Sequence, residues 1–321
     1  MEIHFLEANT GDAFIVNCGE NTILIDGGTR AVSKKIKNKI TSNTQNKIKA
    51  IFVSHVDRDH VGGIIKLFET DHSLIPKDTD IYINHPDLVS TNKNDLGLVT
   101  FEDGDTLKNL LDSLGYKTNT AISGQEILIN DICINIITPN EITIDTLFSK
   151  WQKSNVTPED DGLVCNNIIY VDCSLEVDEP STSLSESDIV NLSSITFTLK
   201  YNNKKALFLS DSKPEVICTA FESPQNFDII KISHHGSKNN TSMALLKKLK
   251  CNKFIISTNG PGSYGHPHAE TINRIIRSCH AHGYTECNLY FNYESVCKRI
   301  KIDNPPNGMK VNLLYTNIVS L

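Results

Sequence analysis

Phe52-Val53-Ser54-His55-Val56-Asp57-Arg58-Asp59-His60-Val61-Gly62-Gly63 sets four potential metal ligands within six residues, directly after the apolar run Ala50 to Val53, which reads as a buried strand. On a turn leading from that strand into a helix, the alternate residues His55, Asp57 and Asp59 can point into one cleft, and His60 swings in as the helix starts. Gly62 and Gly63 allow a tight turn and a close approach of the helix. An Asp-Arg-Asp segment alone is an ordinary solvated loop. Flanking histidines and the apolar strand behind it make this one a candidate metal site.

Outward from the motif, strand patterns precede it at Glu2 to Ala8, Ala13 to Cys18 and Thr22 to Ile25, an antiparallel meander. The amphipathic spacing of Val32, Ile36 and Ile40 predicts a helix over Ala31 to Ser42. Beyond it come helical spacing at Gly63 to Phe68 and Leu107 to Leu114, a strand at Asp80 to Ile83, and a hairpin of Ile127 to Ile129 and Ile132 to Ile137 around Asn130-Asp131. A second hairpin joins Ser194 to Tyr201 and Lys205 to Leu209 through Asn202-Asn203. Strand Phe227 to Ile232, helix Thr241 to Leu249, strand Phe254 to Ser257 and helix Ala269 to His282 follow. Two β-then-α halves fit an αβ/βα sandwich with ligands at the strand ends. Residues 141–188 are rich in Asp, Glu, Ser and Thr with little periodicity, and read as an acidic insertion or lid that can also meet a protein partner.

With 321 residues, 39% of them hydrophobic, the chain can build a substantial core, and its net charge of −7 provides no overall basic footprint for nucleic acid. The nine cysteines are scattered without a C-x-x-C pair and read as reduced thiols. Neither a signal peptide nor a membrane-length apolar stretch is found, so the sequence places the protein in the cytoplasm, away from membranes.

Four later residues add chemistry. Asp211 follows a strand, where a carboxylate can bridge two cations or simply cap the next helix. His234 and His235 end the strand Phe227 to Ile232 and project in different directions, so one of them takes a ligand role. His235 is favoured for it, with His234 facing substrate. His266, between glycine and proline, can reach a phosphate or leaving group, or cap the following helix. His4, His72, His85, His268, His280 and His282 lack a supporting constellation.

His-x-Asp-x-Asp-His resembles the metal motif of the metallo-β-lactamase superfamily, in the variant with Asp57 in place of the usual second histidine. In this it is similar to the hydrolase domain of the DNA-uptake protein ComEC and its soluble relatives. The similarity extends over nearly the whole chain, through Thr10-Gly11-Asp12-Ala13, Ile25-Asp26-Gly27-Gly28, Asn191-Leu192-Ser193-Ser194, Leu209-Ser210-Asp211, Ile232-Ser233-His234-His235-Gly236-Ser237 and Tyr264-Gly265-His266-Pro267. The resemblance implies an α/β (α+β) fold, the four-layer αβ/βα sandwich, as a single domain over residues 1–321. It implies two divalent metal ions, zinc or manganese, with magnesium also suited to an oxygen-rich site. One site would use His55, Asp57 and Asp211, with Asn191 or Ser194 as a weak ligand where many relatives supply a histidine. The other would use Asp59, His60, His235 and the shared Asp211, and Asp26 would support the metal loop from behind. A phosphodiesterase or nuclease acting on a nucleic acid or nucleotide diester fits this best, with Asp59 orienting the nucleophile and His234 and His266 steadying charge. A hydrolase of a lactone, amide or thioester, and a metal-binding signalling module without turnover, are the alternatives.

Overall fold

Burial alternates along the central strands, and each face of a strand feeds a different core. The computed structural model describes residues 1–43, 46–88, 102–151, 167–180, 189–262 and 264–321. Strands β1 (Glu2–Phe5), β2 (Phe14–Cys18) and β3 (Asn21–Ile25) form the expected antiparallel meander. Helix α1 (Ser33–Ser42) then crosses to β4 (Lys47–Phe52), parallel to β3. Helix α2 (Arg58–Asp71) leads to β5 (Asp80–Tyr82), and α3 (Glu102–Ser113) to β6 (Thr118–Asn119), both parallel additions.

The second half starts with the hairpin of β7 (Glu126–Ile129) and β8 (Ile132–Thr138), then α4 (Glu141–Ser149), β9 (Ile169–Asp172) and α5 (Ile189–Leu192). A second hairpin, β10 (Thr196–Tyr201) and β11 (Lys204–Phe208), pairs antiparallel with β8. Asn130 in the two-residue turn of the first hairpin and Asn202 in that of the second have φ of 51° and 54°, the left-handed backbone such turns require. Next come α6 (Pro214–Thr219), β12 (Gln225–Asn226), β13 (Ile229–Lys231), α7 (Met243–Leu246), β14 (Leu249–Lys250), β15 (Lys253–Ile256), α8 (Ala269–Ala281), β16 (Glu286–Phe291), α9 (Glu294–Arg299), β17 (Ile300–Asp303), β18 (Lys310–Tyr315) and β19 (Ile318–Ser320).

Among the described residues the strands form two large sheets, ordered β19-β1-β2-β3-β4-β5-β6 and β18-β16-β15-β13-β11-β10-β8-β7. Ala50 and Phe52 of β4 point between the sheets, where they meet Phe14, Phe197 and Phe208, while Ile51 and Val53 pack on α1, α2 and α3. On the other sheet Ala206, Phe208 and Ile229 face the same central core, and Leu207, Leu209, Ile230 and Ile232 pack on α6, α7, α8 and α9. Rings fix the central layer: Phe52 stacks on Tyr82 at 4.6 Å and meets Phe197 at 4.8 Å. Helices outside, sheets inside and three interlayer cores make a four-layer αβ/βα sandwich, the metallo-β-lactamase architecture expected from the sequence.

Two regions differ from the sequence reading. Strands β16, β18 and β19 have no counterpart in it, and β19 returns to pair with β1, closing the first sheet with the end of the chain. Within the acidic stretch 141–188, residues 152–166 and 181–188 lie outside the described residues. The remainder is more structured than its composition predicts. Asn140 caps α4 by accepting from the Thr143 amide at 2.8 Å, β9 pairs in parallel with β17, and Val171 and Cys173 enter the core under α8.

Candidate metal centre

The C-terminal ends of five strands meet on one rim of the sandwich: β3 leads to Asp26, β4 to His55, β11 to Asp211, β13 to His234 and His235, and β15 to Ser257. Asp26, 1% exposed, organises the first loop. Its Oδ1 accepts from the Ser54 amide at 2.7 Å, and its Oδ2 from the Ser54 hydroxyl at 2.6 Å and from His60 Nδ1 at 3.0 Å. Because the Ser54 hydroxyl spends its single hydrogen on Asp26, the 2.9 Å contact between Ser54 Oγ and His55 Nδ1 is donated by the ring. His235 Nδ1 likewise donates to the Ser257 carbonyl at 3.0 Å. Each imidazole is thus anchored through Nδ1 and turns Nε2 toward its neighbours, the arrangement that metal-ligating histidines adopt.

Those Nε2 atoms gather round Asp211. His60 and His235 approach its Oδ2 at 3.5 and 3.4 Å. His55, His60 and Asp211 form one group whose ligand atoms lie within 4.8 Å of one another, and Asp59, His60 and His235 form a second. The buried Nε2 atoms of His55 and His60 have no hydrogen-bond partner among the described residues. Orphaned imidazole nitrogens beside buried carboxylates suit a borderline cation such as Zn²⁺ or Mn²⁺, so the donor set fits the implied metals.

The local geometry departs from the expected turn. Helix α2 starts at Arg58, so Asp59 and His60 already lie in its first turn. Asp57 holds the N-cap position without capping; its half-exposed carboxylate stands 3.5 Å from His55 Nε2 instead. Gly62 and Gly63 serve close packing rather than a turn, since both lie within α2. A Cβ on Gly63 would fall 1.9 Å from the Gly27 carbonyl oxygen, and this contact seats α2 on the loop carrying Asp26.

His234 and His235 both have left-handed backbones, with φ of 46° and 55°. His235 is buried, whereas the His234 side chain is 29% exposed at the mouth with its Nε2 3.8 Å from Asp211 Oδ2. A Cβ on the following Gly236 would meet Pro267 at 2.7 Å, so this turn interlocks with the one carrying His266. The His266 ring lies 5.4 Å from that of His234 and 6.2 Å from that of His235. His268, not His266, occupies the N-cap position of α8. Asn191 Oδ1 and Ser194 Oγ are buried without a hydrogen-bond partner among the described residues, and the neighbouring Ile195 amide donates to the Ser54 carbonyl at 2.8 Å. His85 stands apart, buried against Asp105 at 2.9 Å and beside Trp151.

Burial opposes charge throughout the cluster. Even so, His235, His234 and His60 hold the Asp211 carboxyl well below the usual carboxylate range. Against burial, Asp211 and Asp26 keep His60 well above the usual imidazole value, and Asp211 and Asp12 push His235 up to about 10. Burial, followed by the charges of His235 and His234, pushes His266 down to about 2, so its ring is neutral at working pH. In the metal-free chain His60 and His235 therefore carry protons at neutral pH, and a cation must displace them. Cation affinity is expected to fall as pH drops from about 8 to about 6, with protons released on binding. Calorimetric titration in two buffers of different ionisation enthalpy checks this; a heat independent of buffer contradicts it.

The sequence reading gave no role to Asp12, Ser54, Lys231 or Ser257. The available signal was a lysine among the isoleucines of Ile229 to Ile232, and the serine adjoining His55.

Residues 4–139 match the family model described as "Anti-Pycsar protein Apyc1", less than half of the chain but including the His55 to His60 motif. No curated protein matches the chain. Among solved structures, the metallo-β-lactamase fold protein YhfI from Bacillus subtilis is 11% identical, covering 99% of this chain and 99% of its own, with a TM-score of 0.46. Zn²⁺-bound PqqB from Methylobacterium extorquens is 12% identical over 100% of both chains, with a TM-score of 0.46. The short form of human tRNase Z is 12% identical over 100% of this chain and 99% of its own, with a TM-score of 0.44.

Proposed function

We propose that this chain is a metal-dependent hydrolase acting as a phosphodiesterase on a nucleic acid or nucleotide diester. The observation that carries this reading is the convergence of three Nδ1-anchored imidazoles on Asp211. In it, His55, Asp57 and Asp211 would hold one divalent cation, with Asn191 or Ser194 as a weak ligand, and Asp59, His60, His235 and Asp211 would hold the other. Zinc or manganese is the expected metal, and the carboxylate-rich first site also suits magnesium. When bound, such cations would supply a lowered pKa for water and charge stabilisation for the attacking and leaving oxygens of an in-line displacement.

The chain's own residues supply orientation and hydrogen bonds. Asp59, in the first turn of α2, orients the attacking water. His234 at the mouth and the neutral His266 behind it donate to phosphate oxygens as charge develops on them. The motif set supports a diester substrate through its similarity to the hydrolase domain of ComEC. The family matched over residues 4–139 bears an anti-Pycsar protein's name, and a role of that kind belongs to this reading. So does a reducing, cytoplasmic setting, in keeping with the eight free cysteines among the described residues.

The test is hydrolysis of bis-p-nitrophenyl phosphate, single- and double-stranded DNA, RNA and cyclic nucleotides with Mn²⁺, Mg²⁺ or Zn²⁺, beside a lactone and thioester panel. Metal-dependent diester cleavage is expected. Turnover confined to lactones or thioesters overturns the diester assignment, and bound metal without any turnover makes the chain a binding module.

A further inference from the structure

Behind the histidines lies a layer of charge that the proposed reaction does not use. Lys231 shares a face of β13 with Ile229, directed between the sheets, and its side chain is only 2% exposed. Its ammonium forms an ion pair with Asp12 Oδ2, donates to the Ser210 carbonyl at 3.0 Å and stands 3.7 Å from Asp211 Oδ1. Asp12, 1% exposed, also faces His235 Nδ1 through its Oδ1 at 3.6 Å. A buried ammonium is retained where fixed carboxylates compensate it, and here they join it to two of the groups that line the centre.

The two oxygens of Asp211 therefore look opposite ways. Oδ1 faces the ammonium, while Oδ2 faces His60, His235 and His234 at 3.5, 3.4 and 3.8 Å. Asp12, Asp26 and His60 also place ligand atoms within 4.8 Å of one another, a grouping able to hold an ion, but the Lys231 ammonium already supplies positive charge at Asp12.

We propose that Lys231, locked in place by Asp12, is a positioning residue that engages Asp211 Oδ1 from behind, so that Asp211 offers Oδ2 alone to the cations while Asp12 steadies His235. This inference rests on the metal centre of the proposed function and on nothing about its substrate. A carboxylate held by one oxygen has its direction fixed before any cation arrives. A free one can rotate and present either oxygen.

The double variant D12N/K231M removes both charges together, which leaves the net charge unchanged and no lone buried ion behind. Its metal-free thermal midpoint is expected to stay close to that of the wild type. Its affinity for at least one equivalent of Mn²⁺ or Zn²⁺, titrated calorimetrically into the full chain, is expected to fall about 10- to 100-fold, the usual cost of losing an outer partner. Wild-type affinity for both equivalents in the folded double variant overturns the inference. Should that variant not fold, D12N alone, which frees the ammonium from its anchor, is expected to weaken cation binding in the same direction; wild-type affinity there overturns it equally. Because the titration contains no substrate, a wild-type chain that binds cations but cleaves no diester defeats the phosphodiesterase reading and leaves this one standing. A wild-type chain that binds no cation defeats both.

Discussion

Asp211→Asn is expected to remove at least one bound divalent cation and to lower turnover by about 10³-fold, because the metal contributes several kcal/mol of charge stabilisation and each 1.36 kcal/mol is a decade in rate. Asparagine keeps the shape but loses the charge on which His60, His235 and His234 converge. The same change acts on the metal-free chain. The depressed Asp211 carboxyl contributes stability above its ordinary value near 4 and loses it as pH falls through its lower folded value. The raised His235 contributes fully below about 6.5 and loses this as pH rises through about 10. The pair is therefore at full strength from about pH 4 to about pH 6.5, and there the metal-free variant is expected to be about 3–5 kcal/mol less stable, as for other buried pairs deprived of one partner. Elemental analysis, turnover and urea denaturation across pH check this. Wild-type metal content and turnover in the variant would remove Asp211 from the centre.

What the sequence made legible is what lies close together along the chain. His55, Asp57, Asp59 and His60 fall within one strand-to-helix transition, and the apolar run before them marks the strand that delivers them. Even there the helix boundary shifted, because Asp57 holds a cap position without capping and turns its carboxylate toward His55 instead. Asp211, His235 and His266 each ended or followed a recognisable element, but only a family resemblance could bring them to the same rim. Non-local pairs left no such trace. Lys231 and Asp12 are joined by tertiary structure alone, and in sequence one is a polar interruption of a strand and the other a turn residue. The same holds for Ser257, whose backbone carbonyl anchors His235 and has no side-chain signature at all. Strands β16, β18 and β19 went unread beyond His282. In β18, Val311 to Leu314 are all half-buried, giving neither clean alternation nor a fully buried run.

The two adjacent histidines offer the sharpest separation of roles, since a ligand and a substrate-facing donor fail differently when removed. His235 is anchored by Ser257, faces Asp12 and joins Asp59 and His60 in one group of ligand atoms. His235→Ala is therefore expected to lower metal content and turnover together. His234 has a buried Nδ1 without a hydrogen-bond partner among the described residues and a side chain 29% exposed at the mouth. His234→Ala is expected to keep most of the metal and lower turnover about 10²-fold or more, the usual contribution of a donor near developing charge. Both positions have positive φ, so alanine also strains the backbone at about 1–3 kcal/mol. Asparagine tolerates that conformation better. His234→Asn should thus match the kinetic defect of the alanine variant while restoring its thermal midpoint, which assigns the loss to the missing imidazole. Metal content and diester turnover measured on all three variants decide the matter: metal loss at position 234 with retention at 235 reverses the two roles, and full activity in every variant excludes the pair from the chemistry.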